Sequence, residues 1–105
     1  MAANQFEVFA NPLPESVATH PYFVVLQHGA LSGFNTRIVA PLIPANGFSS
    51  FEPLMPEVSI KGARYVVDMT SIAVMPTRAL EERVANLGNR RYDIVRAIQL
   101  VFGGI

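Results

Sequence analysis

The hydrophobic pattern of this chain changes period once, and that change limits the folds open to it. Up to residue 74 the apolar residues fall in short runs broken by proline and glycine. Such runs are the mark of short strands joined by turns. From Asn89 onward the period is helical.

Segment 5–9 alternates Phe6 and Val8 against Glu7, which predicts a strand with one buried face. Segment 22–27, Tyr-Phe-Val-Val-Leu-Gln, is apolar on both faces and predicts a central strand. Between them Pro12, Pro14 and Pro21 exclude regular structure. Residues 28–35 form a loop with two glycines. Thr36 to Leu42 is a β-branched strand, and Pro41 places its end at an edge or bulge. Residues 43–56, with Pro44, Asn46-Gly47, Pro53 and Pro56, make a long irregular excursion of the kind that often carries function. Val58 and Ile60 start another strand. Lys61-Gly62 or Gly62-Ala63 supplies a tight hairpin turn with glycine at positive φ. Arg64 to Asp68 returns, and Ile72 to Val74 adds a last short strand. Short antiparallel strands at this spacing predict a small barrel.

Residues 79–87 read as a helical turn or a loop. In the helix that follows, Ile94, Val95, Ala97, Ile98, Val101 and Phe102 share one arc of roughly 160°. Asn89 is the expected N-cap and Gly103-Gly104 the stop. The arc is wider than the roughly 100° stripe of an ordinary surface helix, which leaves width for a second subunit.

Composition points the same way. The chain has 105 residues, enough for a single domain over 1–105 with its own core. Hydrophobic residues make up 50% and charged residues only 15%, against about 25% charged in an average domain. So little charge predicts that some apolar surface ends in a subunit or partner interface. The formal net charge is zero, which argues against direct nucleic-acid binding by bulk electrostatics. The charges are divided: residues 1–60 carry Glu7, Glu15, Glu52 and Glu57 against Arg37, a net of −3, and residues 61–105 carry seven bases and four acids, a net of +3. Halves of opposite sign fold onto each other or onto a partner. The longest apolar run, Tyr22 to Leu26, is too short to span a bilayer, and the first 36 residues hold no Lys or Arg for a signal peptide. A cytoplasmic protein is expected. Cysteine is absent.

Local chemistry is sparse. His20 and His28 have no second ligand at metal spacing and read as loop residues, so no metal or cofactor is expected. Glu81-Glu82 are adjacent and do not share a helix face, so they read as a solvated patch. Arg90-Arg91 open a helix, where the dipole disfavours cations, and read as a solvated pair. Thr70-Ser71 are hydroxyls without a base in sequence reach. No phosphate loop or nucleophile motif is present, and the chain is not expected to be an enzyme. The terminus, Gln99-Leu-Val-Phe-Gly-Gly-Ile105, admits two readings. Either Ile105 tucks into the core, or a flexible glycine pair offers an apolar end to a partner's pocket.

In ordered blocks over nearly the whole length, the sequence resembles the CcdB family of plasmid and chromosomal toxins. The blocks are Gln5-Phe6-x-Val8, Tyr22-Phe23-Val24 with Gln27, Arg37-x-Val39-x-Pro41-Leu42, Asp68-Met69-x-Ser71 with Val74, and Glu82 with Val84-Ala85 and Leu87. Asp93-Ile94, Ala97-Ile98, Leu100, Phe102 and Gly104-Ile105 complete the set. The resemblance implies a dimeric, SH3-like antiparallel β-barrel with a small extra sheet and a C-terminal helix. It implies a toxin that binds the A subunit of DNA gyrase and traps the enzyme on cleaved DNA. A cognate antitoxin with a disordered C-terminal segment neutralises it. The gyrase contacts carry over to Ala30, Leu31, Gln99, Phe102, Gly103, Gly104 and Ile105. At Gly103 the sequence departs from the family's best-known pattern, which has an aromatic there; the Gly-Ile end is the steadier feature, and members without the aromatic are expected. Two competing readings stand beside this one. An endoribonuclease of the MazF and Kid type shares the fold but needs a base, an acid and a basic groove. A non-toxic relative that still binds antitoxin fits the loss of the aromatic at Gly103.

Overall fold

The computed structural model describes residues 3–28, 33–45 and 53–103. Among the described residues seven strands precede the helix: β1 (Glu7–Ala10), β2 (Tyr22–Val25), β3 (Thr36–Pro44), β4 (Glu57–Ile60), β5 (Ala63–Val67), β6 (Ala73–Pro76) and β7 (Arg83–Asn86). The helix α1 (Arg91–Ile98) runs on as one π-helical turn, Gln99–Gly103. Every strand pairing is antiparallel. The sheet runs β4-β5-β3-β2-β1-β7, with β6 on β3. The result is an antiparallel half-barrel with a C-terminal helix.

β3 joins the two parts of the sheet. Along one edge it pairs with β2 from Val39 to Leu42. Along the other, Thr36–Val39 pair with β6 and Leu42–Pro44 pair with β5. Pro41 sits at the change of partner. Its carbonyl accepts the Asp68 N–H (2.9 Å) on that side, so its missing N–H falls in the gap between two ladders. The strand therefore continues through Pro41 to Pro44 instead of ending there, contrary to the expectation from sequence. The Lys61-Gly62 turn is as expected: both residues have positive φ, 52° and 83°, as a two-residue type I′ hairpin requires.

Alternating side chains on β1, β2 and β3 fill two cores. Val8, Val24, Leu26, Ala40 and Leu42 face one, with Ile60, Met69 and the helix residues Ile94 and Ala97. Phe9, Phe23, Val25 and Val39 face the other, with Met75 and Leu80. β2 is thus buried on both faces, as its composition predicts. β1 is too, and the expected polar face of Glu7 does not exist. Glu7 is buried, and its carboxylate accepts the Asn4 N–H (2.8 Å) and pairs with Arg83 (2.7 Å). A buried carboxylate needs such partners. Phe6, just before it, has φ of 70° and packs in the first core under the Arg91 guanidinium, 5.6 Å from its ring centroid. Arg37, also buried, donates to the carbonyls of Ala3 (2.7 Å), Phe34 and Thr36 (2.8 Å). The Glu7–Arg83 and Glu57–Arg64 (3.3 Å) pairs join acids of the first 60 residues to bases of the last 45.

Residues 83–86 form a strand where the sequence suggests a helical turn or loop. The segment is recruited by β1: Ala10 N–H bonds the Glu82 carbonyl and Leu87 N–H bonds the Phe6 carbonyl. A register shift at Val8/Phe9 fits the two strands together. Partners so distant in sequence leave no local signal. The helix entry also differs. Asn89 lies inside a 3-10 turn, Gly88–Arg90, and Arg90 occupies the cap position without a side-chain cap bond. Asn86 is the side chain that meets this entry, accepting the Gly88 N–H (2.7 Å). Nor are Arg90 and Arg91 simply solvated: Arg90 pairs with Asp93 (3.1 Å), and Arg91 covers Phe6.

Thr70 and Ser71 have a carboxylate beside them after all. Asp68 is buried and accepts the Thr70 N–H (3.0 Å), the Thr70 hydroxyl and the Ser71 hydroxyl (2.9 Å). Burial pushes its pKa up. The bonds from Thr70 and Ser71, helped by nearby His20, outweigh burial and hold it below the ordinary value. A carboxyl depressed in the folded state contributes stability above its unfolded pKa and loses it as pH falls through the folded pKa. Stability from this group should therefore fade below about pH 4. Asp68→Asn should cost about 1–3 kcal/mol at pH 7 and flatten the acid limb. Thermal unfolding from pH 7 to pH 3 measures both, and parallel acid limbs for the two proteins would refute the assignment.

Candidate functional site

The end of the helix is built from residues whose local pattern and final exposure disagree. On the expected apolar arc, Ile94 and Ala97 are fully buried, and Val95 and Ile98 are half-buried. Val101 and Phe102 are exposed, Phe102 by 68%. The π turn starts where the Gln99 N–H bonds the Val95 and Arg96 carbonyls. Its wider winding changes the phase of the last side chains.

Beside this turn lies an apolar depression of about 150 Å³, lined by Leu26, Gln27, Ile38, Ile72, Ile98 and Phe102. Gln27 supplies its polar atoms. Its Oε1 accepts the Ile38 N–H (3.2 Å), which ties the end of β2 to β3. Ile38 and Val74 face each other in register on β3 and β6 and are 39% and 66% exposed. Phe34 is exposed as well.

Of the site residues expected from sequence, Gln99, Phe102 and Gly103 are brought together at this helix end, all exposed. Ala30, Leu31, Gly104 and Ile105 lie outside the described residues. Gln27 lines the same depression as Phe102. A Cβ placed at Gly103 would meet no atom within 4 Å, so the backbone there does not exclude a side chain. Sequence reading missed Ile38, Ile72 and Val74. The available signal was Ile38, an apolar residue on β3 next to a buried arginine, where alternation calls for a polar one.

The proline-rich segment 10–21 is ordered by one side chain. Asn11 is buried. Its amide donates to Ser16 Oγ (2.9 Å) and the His20 carbonyl (2.7 Å), and its Oδ1 accepts the Leu13 N–H (2.8 Å). This folds the segment into successive turns and leaves Leu13 and Val17 exposed on its surface. Of the second excursion, 43–56, residues 46–52 lie outside the described residues.

A cleft of about 580 Å³ opens beside β1, with Phe9 and Leu80 in its floor and the Glu7–Arg83 pair in its wall. Arg78 and Glu81 line it as well. Among the described residues, no three His, Cys, Asp or Glu side chains are placed to hold a metal. His20 instead contacts the Thr19 hydroxyl (2.8 Å). No helix among them is long and apolar enough to cross a membrane.

The arrangement is that of a binding protein: a rigid sheet presenting an apolar helix end and an ordered loop. Comparison with known protein families agrees with this and with the blocks of sequence above. The family described as CcdB protein matches residues 5–104. The chain belongs to the CcdB family, the non-enzymatic toxins of toxin–antitoxin systems that poison DNA gyrase.

Proposed function

We propose that residues 1–105 act as one CcdB-like unit, in the cytoplasm and as a homodimer. It docks on the gyrase A subunit through Ala30, Leu31, Gln99, Phe102, Gly103, Gly104 and Ile105. Docking traps gyrase on cleaved DNA, and the disordered segment of a cognate antitoxin releases it. The observation that carries this reading is the exposed helix end, Gln99 to Gly103, with Phe102 at the rim of an apolar depression. A poison of this kind performs no bond chemistry. It needs apolar area to bury and a few polar groups to fix orientation, and Gln99 beside Phe102 offers both.

The antitoxin reading rests on segment 10–21. Leu13 and Val17 stand out from a framework held by Asn11, so a disordered tail would meet a preformed surface. The second excursion, 43–56, extends that contact. Only the tail then loses conformational freedom on binding.

Deleting Gly104-Ile105 should leave stability within about 1 kcal/mol, as for surface changes, and abolish trapped cleavage complexes in a gyrase cleavage assay. Unfolding of the truncated chain would make Ile105 a core residue. Continued trapping would move the site elsewhere. Gly103→Trp, whose Cβ would meet no atom within 4 Å, should strengthen gyrase binding by about 1–3 kcal/mol, an aromatic hot-spot magnitude. If the native chain binds antitoxin but the cleavage assay shows no trapping, the protein is a non-toxic relative.

Calorimetric titration with the antitoxin tail should show a large negative heat-capacity change, the mark of coupled folding. Leu13→Ser with Val17→Ser should weaken binding at least about tenfold, since truncating central apolar anchors commonly costs more than 1.4 kcal/mol. Unchanged affinity would remove segment 10–21 from the contact.

A further inference from the structure

The cleft beside β1, about 580 Å³, shares no lining residue with the helix end or with segment 10–21. Alternation along β1 puts Glu7 and Phe9 on one face of the strand. The chain running from the 3-10 turn Thr77–Ala79 into β7 brings Arg78, Leu80, Glu81 and Arg83 to the same cleft. A bulge fixes the place of Arg83. Ala85 pairs with Val8 and Arg83 with Phe9, which leaves Val84 as the extra residue of β7. The bulge thus sets a cation opposite the floor residue Phe9, where an unbroken register would set the apolar Val84.

The floor is apolar, since Phe9 and Leu80 belong to the second core. The walls are charged and only half matched. Arg83 gives Nη1 to Glu7 (2.7 Å), and its other nitrogens have no partner among the described residues. Arg78 and Glu81 are exposed and, among the described residues, have neither a hydrogen bond nor an ion pair. A purely anionic ligand would lie against Glu81, and a purely cationic one against Arg78. A molecule with one charge of each sign satisfies both. Size narrows the class further. A cavity of about 150 Å³ holds one benzene ring, and this cleft is several times larger, within the usual range for small-molecule sites.

We propose that the cleft binds a zwitterion of dipeptide size with apolar side chains. Its carboxylate lies on the guanidinium groups of Arg78 and Arg83, which suit a planar, two-oxygen acceptor. Its ammonium donates to Glu81, and its side chains cover Phe9 and Leu80.

Three forms of one probe test this. Calorimetric titration of the native chain with L-leucyl-L-leucine should show saturable binding at about millimolar concentration or below. N-acetyl-L-leucyl-L-leucine, an anion, and L-leucyl-L-leucinamide, a cation, should each bind about tenfold more weakly, because each leaves one charged group without its hydrogen bond. Arg78→Ala should weaken the dipeptide and its N-acetyl form by about the same factor and leave the amide unchanged. Glu81→Gln should weaken the dipeptide and the amide and leave the N-acetyl form unchanged. Both positions are exposed, and a native thermal transition checks that each variant folds. If one does not, the amide resonances of Leu80 and Arg83 in an NMR titration of the native chain take its place, and they should shift with the dipeptide. The proposal is overturned if the dipeptide fails to bind saturably up to about 10 mM, if the three forms bind equally, if neither substitution alters binding, or if those resonances stay still. None of these results touches the gyrase reading, which uses none of these residues.

Discussion

The sheet depends on one strand serving three neighbours. β3 holds β2 along one edge and divides the other between β6 and β5. This division is possible because its chain runs nine residues, Thr36–Pro44, and because the proline that would break a ladder lies at the gap between two. If Pro41 were moved by one residue, its missing N–H would face β2, in the middle of the sheet. The β2–β3 ladder would then lose a bond. Arg37 works in the same place. Its buried guanidinium ties the N-terminal segment at Ala3 to the start of β3, so that β1 is delivered to β2 in register.

Burial on both sides of this sheet explains the arrangement of charge. With so few charged residues, the buried ones cannot be left to solvent, and each is matched. Glu7 meets Arg83 across 76 positions of sequence, Arg37 meets carbonyls, and Asp68 meets the hydroxyls of its own turn. Desolvated charges are tolerated only when paired or hydrogen-bonded in this way. The hydroxyls of Thr70 and Ser71 hold the Asp68 carboxylate ionised, which makes it a poor proton acceptor. That the protein binds and does not catalyse follows from its family.

Binding surface arises where the layers run out. The helix covers the first core with Ile94 and Ala97 and leaves Val101 and Phe102 exposed at its end. Val101, Phe102 and, across the depression, Ile38 and Val74 are left as exposed apolar area that a soluble monomer rarely retains without use.

What the sequence by itself determined are the elements whose signals are local. β2 with two apolar faces, the β-branched run of β3, the Lys61-Gly62 turn and the helix from Arg91 all follow from period, propensity and φ preference within a few residues. The ordered family blocks, down to Gly104-Ile105, were legible in the same way. Tertiary structure decided the rest, because the deciding partner is distant in the chain. Residues 83–86 are a strand only because β1 has an open edge. Glu7 is buried only because Arg83 arrives with that strand. Pro41 is interior only because β5 and β6 meet beside it. Phe102 belongs to the core arc by periodicity and to the surface in fact, since how far a helix is covered depends on what packs against it, which no helical period records.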